Sequence, residues 1–229
     1  MISLLLPCRR DSLLLPGFVE SMLENTSDMN NVELLVSLSD NDTWCKSYLD
    51  RLNHSRIKYF TQPKPYGRFG LHDYMNLLCE HSKGKLLWHM CDDYRLVTKG
   101  WDLILKEYES YSDKVYSLYP CPSPDYKIAG FASPIITRKW YNTLNHWALF
   151  YSVDSWIGEV ACSYLPRDKQ INIPELDLKD LSYCDLYIPR EDMDSIKFID
   201  FPWEDPRVRE WIREDADLLL EEIKNERPQ

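Results

Sequence analysis

The chain lacks the surplus of positive charge that a nucleic-acid partner demands. Lys and Arg number 27 against 37 Asp and Glu, a formal net charge of -10. A field of that sign does not favour wrapping a polyanion, although a small anion can still be held by local backbone N–H groups or by a metal ion. Paired cysteines are also missing. The seven present (Cys8, Cys45, Cys79, Cys91, Cys121, Cys162 and Cys184) are odd in number and widely spaced, with no CxxC. That speaks against a disulfide framework and a structural zinc site, and it fits a reducing compartment. No apolar run approaches the roughly 20 residues of a membrane helix. MISLLLPCRR does not read as a secretory signal, because its apolar run is short, Pro7 follows it, and the basic residues come last. A cytoplasmic protein without a transmembrane segment is therefore expected. Repeats and low-complexity tracts are absent, and 229 residues suffice for one large domain with a core of its own.

What is present is a rhythm. ISLLL (2–6), VELLVSL (32–38), RIKYF (56–60) and KLLWHM (85–90) are short apolar runs bounded by polar or Pro-containing turns. That is how strands buried on both faces read. Between them LLLPGFVESMLEN, TWCKSYLDRL and LHDYMNLLCEHS read as helices, the first offered N-caps by Asp11 and Ser12, the last stopped by Lys83-Gly84. Strand–helix alternation predicts the α/β class: a Rossmann-like, mainly parallel sheet flanked by helices, with ligands beyond the carboxyl ends of the strands. Three polar segments fall at those ends, PCRRDS, SDND and CDDY.

The second half is less regular. Helices are expected over KGWDLILKEYES, TRKWYNTLN and SVDSWIGEVACSYL, and strands at KVYSLY and YKIAGFA. The tail from Glu204 carries Val208, Trp211, Ile212, Leu218, Leu219 and Ile223, the pattern of a charged amphipathic helix packed on the body. The resulting partition is 1–98, a donor-binding half, 99–190, an acceptor-binding half of the same domain, and 191–229, a C-terminal helical tail.

Asp92 and Asp93 stand side by side after the fourth strand. Neighbouring carboxylates raise each other's pKa unless a positive group lies beside them. A hard divalent cation removes that cost, and Mg2+ commonly takes one or two carboxylates together with phosphate oxygens. The plain alternative is a solvated turn.

GLHDYMNLLCEHSKGKLLWHMCDD resembles the central signature of family-2-type glycosyltransferases with the GT-A fold: a glycine (Gly70), an asparagine on the next helix (Asn76), a second glycine (Gly84), then an apolar strand ending in DxD or DD. LLLPCRRDS and VELLVSLSDND are similar to that family's first two strands and their turns, and GWD (100–102) recurs after the acids in such enzymes. The likeness covers about residues 1–165. It implies transfer of a sugar from a nucleotide-diphosphate sugar to a glycan, lipid-linked or protein acceptor, with Mn2+ or Mg2+ and inversion. Asp93 would hold the metal and diphosphate, and Asp92 the ribose or the metal's water shell. Asp40 or Asp42 would read the base, Pro7 and Arg9 would line its pocket, and Asn76 belongs to the same donor site. Asp154 resembles the catalytic base, with Glu159 as its substitute; a helix N-cap is the bland reading of Asp154. Among the cations near the crevice, Arg68 ranks ahead of Lys64 and Lys85 as a phosphate partner. His72 and His89 lie nearby in sequence. Trp140, Trp147 and Trp156 are candidates for stacking on sugar faces, against core packing. Departures are Cys91 where many members carry the first acid of DxD, Leu38-Ser39 where an aspartate pair is common, and no histidine after His146. Cys91 and the missing late histidine favour, as the alternative, a non-catalytic nucleotide-sugar or carbohydrate binder on the same scaffold. A nucleotidyltransferase would want a glycine-rich loop after the first strand, which PCRRDS does not supply.

Overall fold

The computed structural model describes residues 1–8, 12–63, 70–122, 133–150, 152–181 and 205–226. Its centre is β1 (Ile2–Pro7), all six residues of which are buried. β2 (Val32–Ser39) and β4 (Leu86–His89) flank it, both parallel to it, and β3 (Ile57–Gln62) lies parallel beyond β2. Successive side chains of a strand point to opposite faces, so β1 serves two cores. Leu4 and Leu6 pack with Phe18, Val19 and Met22 of α1 (Leu15–Asn25) and with Trp101 and Leu105 of α4 (Trp101–Glu107). Leu5 faces the other way, toward Met75 and Leu78 of α3 (Leu71–His81) and the buried faces of α5 (Arg138–Leu144), α6 (Val153–Tyr164) and α7 (Pro206–Asn225). α2 (Thr43–Leu52) joins β2 to β3. Buried on both sides, these strands must be apolar throughout, and this is why they read so clearly in the sequence.

Among the described residues the sheet has eight strands in the order β3-β2-β1-β4-β7-β6-β8-β5. β7 (Ile135–Thr137) runs antiparallel to β4 and to β6 (Ser117–Pro122), β8 (Gln170–Asp180) parallel to β6, and β5 (Tyr94–Leu96) antiparallel to β8. The sheet is mixed, with its parallel pairs in the majority. β7, β6 and β8 stand between β4 and β5 in this order, although only residues 90–93 separate the two in the chain. Laid flat, four strand spacings would span about 19 Å, whereas the five Cα steps from His89 to Tyr94 reach roughly 17 Å when fully extended. The link is also bent, since the Tyr94 N–H donates to the Cys91 carbonyl at 3.1 Å. The sheet therefore curls, and the turn bearing the two aspartates bridges its curled edges.

Several signature residues build this frame. A Cβ on Gly84 would lie 2.4 Å from Ser3 Oγ and 2.5 Å from the Ser3 nitrogen, so glycine lets β4 start against β1. Ser3 Oγ donates to Glu33 Oε1 (2.6 Å) and the Lys83 N–H donates to the same oxygen (2.6 Å), closing a buried network at the amino ends of the strands. In GWD, Gly100 takes a left-handed φ of 72°. Asp102, fully buried, accepts from the Ser27 and Asp28 N–H groups at 2.7 and 2.9 Å. Trp101 meets Trp88 edge-on at 5.5 Å.

The tail helix packs against α5 and α6 through Val208, Ile212, Ala216, Leu219 and Ile223. Trp211 and Leu218, expected on the packed face, are exposed; the buried stripe runs 208, 212, 215–216, 219 and 223, a four-residue step that leaves them outside. Asp215 fills the inward place instead, accepting at Oδ2 from Trp156 Nε1 (2.9 Å) and lying 3.0 Å from His146 Nε2. Two strands, β5 and β7, and the whole of β8 have no counterpart in the sequence reading. The expected strand at YKIAGFA lies outside the described residues.

Candidate active site at the carboxyl ends of the parallel strands

Asp92 and Asp93 occupy the two central positions of the Cys91–Tyr94 turn. Asp92 is buried and its Oδ2 accepts a hydrogen bond from Ser12 Oγ. Ser12 is thus not the helix cap expected of it: α1 begins at Leu15 behind an uncapped Leu14, and the hydroxyl ties the β1–α1 link to the acid turn. Asp93, half-buried, anchors the turn through its carbonyl, which accepts from the Leu181 N–H at 2.9 Å.

Arg95, absent from the sequence-based candidates, holds the backbone of the turn. Its Nη1 donates to the carbonyls of Asp92 (3.0 Å) and Tyr94 (2.6 Å), and its Nη2 to that of Leu14 (3.3 Å). Burial lowers the basicity of this guanidinium, and the negative charges of Asp92, Asp93 and Glu20 oppose that fall.

Two thiols report how the acids gather. Burial pushes the Cys91 thiol well up, and the charges of Asp93, Asp154 and Asp92 push it further. Asp154, in the first turn of α6, therefore sits within electrostatic reach of the acid turn, more than sixty residues away in sequence. Its Oδ1 accepts from the Ser155 N–H at 2.8 Å, and the N-cap of α6 is Ser152, so Asp154 is not the cap. Cys8, following β1, is raised by a hydrogen bond to Cys45, by burial, and by the charges of Asp92 and Asp42. The ends of β1 and β4, the turn after β2 and the start of α6 thus lie within electrostatic reach of one another.

The remaining predicted residues divide. Pro7 closes β1 inside the sheet. Asp40 is exposed at the end of β2, its N–H bonded to the Gln62 carbonyl at 2.9 Å and its carbonyl to Lys46. Asp42 is fully buried and caps α2, accepting from the Cys45 N–H at 2.9 Å. Tyr74 of α3 lies beside this corner, within reach of Ser39, Asp40 and Asp42. Asn76 grips backbone, its Nδ2 donating to the Ala148 carbonyl (3.0 Å) and its Oδ1 accepting from the Trp147 N–H (2.7 Å). Arg9, Arg68 and Lys64 lie outside the described residues. Lys85 pairs with Glu109, away from the crevice. Trp140, Trp147 and Trp156 are fully buried, so they are core and not platforms for a sugar. Glu159 is exposed and bonded to Ser163. His89 is buried, 4.0 Å from the Cys91 sulfur, and His72 lies 3.5 Å from Asp73.

Among the described residues no three His, Cys, Asp or Glu side chains form a metal cage by themselves. Asp92 and Asp93 offer hard carboxylate oxygens where three negative charges already act on one thiol. That donor set suits a cation that completes its shell with phosphate and water.

No family model matches the sequence, and no curated protein matches it. The fold does have solved relatives. TarS 1-349 of S. aureus in complex with UDP-GlcNAc superposes with a TM-score of 0.64 at 10% identity, over 96% of this chain and 70% of that one. The fold is of the GT-A type. The mannosyltransferase PcManGT of Pyrobaculum calidifontis, in complex with GDP-Man and Mn2+, gives 0.61 at 12% identity over 81% of this chain and 58% of its own. GalNAc-T7 with UDP, GalNAc and Mn2+ gives 0.58 at 9% identity over 79% and 43%. The chain spans little more than half of several of these proteins, 53% in another TarS 1-349 structure. Among the described residues no helix is long and apolar enough to cross a membrane.

Proposed function

We propose that the chain is a glycosyltransferase that moves a sugar from a nucleotide-diphosphate sugar to an acceptor hydroxyl of a glycan, lipid-linked or protein substrate, with inversion. One observation carries the reading: Asp92 and Asp93 form a tight turn at the carboxyl end of β4, tied by Ser12 to the β1–α1 link, with Asp154 of α6 within electrostatic reach. Solved proteins of the same GT-A type hold UDP, UDP-GlcNAc or GDP-Man, two of them with Mn2+, which supports a nucleotide sugar as the donor.

In this mechanism Asp93 would hold a divalent cation, Mn2+ or Mg2+, together with the diphosphate, and Asp92 would serve the ribose or the cation's water shell. Such a cation supplies positive charge that offsets the charge developing on the leaving diphosphate. Asp40, exposed at the end of β2, would accept from the base, with Pro7 and Arg9 assigned to the base and Arg68 to the phosphates. Asn76 and Asp42 act through the backbone, one holding the Trp147–Ala148 segment and the other starting α2. The acceptor oxygen attacks the anomeric carbon from the side opposite the diphosphate. The new C–O bond forms as the old one breaks, its electron pair leaves with the diphosphate, and the acceptor's proton passes to the Asp154 carboxylate.

Turnover of a panel of UDP-, GDP- and dTDP-sugars with Mn2+ tests the reading. Asp93→Asn abolishes turnover if it is right; a variant with full rate refutes the metal assignment.

Two observations favour a second reading, a nucleotide-sugar or carbohydrate binder without turnover: the thiol of Cys91 where an acid is usual, and the absence of a three-donor cage among the described residues. Tight, metal-independent calorimetric binding with no product would decide for it.

A further inference from the structure

The acid turn is the shortest link in the sheet that joins distant strands, and a turn of two adjacent carboxylates is electrostatically inclined to spread. Something must hold it. Hydrogen bonds between main chain and main chain do part of this, through Tyr94 to Cys91 and Leu181 to Asp93. The rest comes from one side chain that spans both the turn and the start of α1.

We propose that Arg95 is a positioning residue for the Asp92–Asp93 pair, and that Gly17 is the residue that admits it. The fork of the guanidinium gathers three carbonyls, those of Asp92, Tyr94 and Leu14, from two segments nearly eighty residues apart. A guanidinium is suited to this because its donors are fixed in one plane, where an ammonium offers a single point charge. The same group brings a half-buried positive charge within electrostatic reach of both carboxylates. Ser12 completes the arrangement from the other side, its hydroxyl fixing the carboxylate of Asp92. The proposal rests on the transferase reading, since it assigns the fixed pair to donor and cation binding.

Gly17 is the residue the guanidinium packs on. Glycine is a poorer helix former than alanine, and Gly17 lies in the first turn of α1 with a right-handed backbone that alanine would adopt. A Cβ there would fall 2.4 Å from Arg95 Nη2 and 2.8 Å from its Cζ. The glycine leaves the space the guanidinium occupies, and a Cβ would push the end of that side chain off its three carbonyls.

The test is a double-mutant cycle of Gly17→Ala and Arg95→Ala, joined by Arg95→Met and Arg95→Lys, on the full chain. Stability is read by urea denaturation, Mn2+ and UDP binding by calorimetry, and turnover by kcat and KM. The expected result is that Gly17→Ala and Arg95→Met each weaken Mn2+-dependent UDP binding and lower kcat by 10-fold or more, with the acceptor KM unchanged. Arg95→Lys recovers only part of the loss. Gly17→Ala added to Arg95→Ala costs nothing further, because the clash has gone with the guanidinium. Wild-type binding and turnover in Arg95→Met, or additive effects in the cycle, would overturn the proposal while leaving the transferase reading intact. A wild-type chain that neither binds UDP with Mn2+ nor turns over any donor overturns the transferase reading and with it the role given to Arg95, even where the cycle shows coupling.

Discussion

Two groups of acids sit at opposite ends of the same parallel strands, and they are built differently. At the amino ends, Glu33 is buried and its Oε1 receives both the Ser3 hydroxyl and the Lys83 N–H. Asp102, in the first turn of α4, likewise spends each oxygen on a backbone N–H. At the carboxyl ends, Asp92 and Asp93 stand together, Asp92 held by one hydroxyl, with Asp154 reaching the same thiol from another helix. The first group is bound by donors from backbone and hydroxyl, and such acids are part of the scaffold. In the second group like charges gather, with Arg95 as a positive group in electrostatic reach of two of them, and a bound cation would add to that relief.

The comparison breaks if the two groups respond alike to mutation. Removing Asp154 by Asp154→Asn should lower kcat by about 10²–10⁴-fold, the range for loss of a general base, with the denaturation midpoint unchanged; steady-state kinetics and urea melts check both. Glu33→Ala should do the reverse. It strands the buried Ser3 hydroxyl at about 1–3 kcal/mol and frees the Lys83 N–H, seen as an earlier urea midpoint, while kcat per folded molecule holds. Asp102→Ala should cost about 1–3 kcal/mol in the same assay, again without loss of rate. The smallest effect sharpens the second group. Because Asp154 raises the Cys91 thiol, Asp154→Asn lowers its pKa, and alkylation of Cys91 at pH 8–9 should quicken, as thiolate is the reactive form. Mass spectrometry of the Cys91 peptide measures it, with exposed Cys162 as an internal reference.

Half the fold was legible because its strands are buried on both faces. β1, β2 and β4 are unbroken apolar runs, and α2 spans the residues TWCKSYLDRL expected of it. The other half hid for physical reasons. β5 and β7 have three residues each, too few to show a period. β8 did carry a signal, the alternation of Ile171, Ile173, Leu176 and Leu178, but Pro174-Glu175 shifts its phase, opposite the register break between Pro120 and Cys121. At the site, adjacency made Asp92 and Asp93 conspicuous. Ser12 and Arg95 were not, because their part depends on contacts across the fold that no spacing encodes. Gly84, Asn76 and Asp102 were visible as motif residues while their work, admitting a strand, gripping a loop and capping two N–H groups, was not.

Calorimetric titration of the chain with UDP and with GDP, with Mn2+ and then with EDTA, alongside Asp93→Asn, tests the central claim most directly. Binding of one diphosphate that appears with Mn2+, vanishes with EDTA and is lost in Asp93→Asn is the expected result. Equal binding in all three conditions would contradict a cation held by the acid turn.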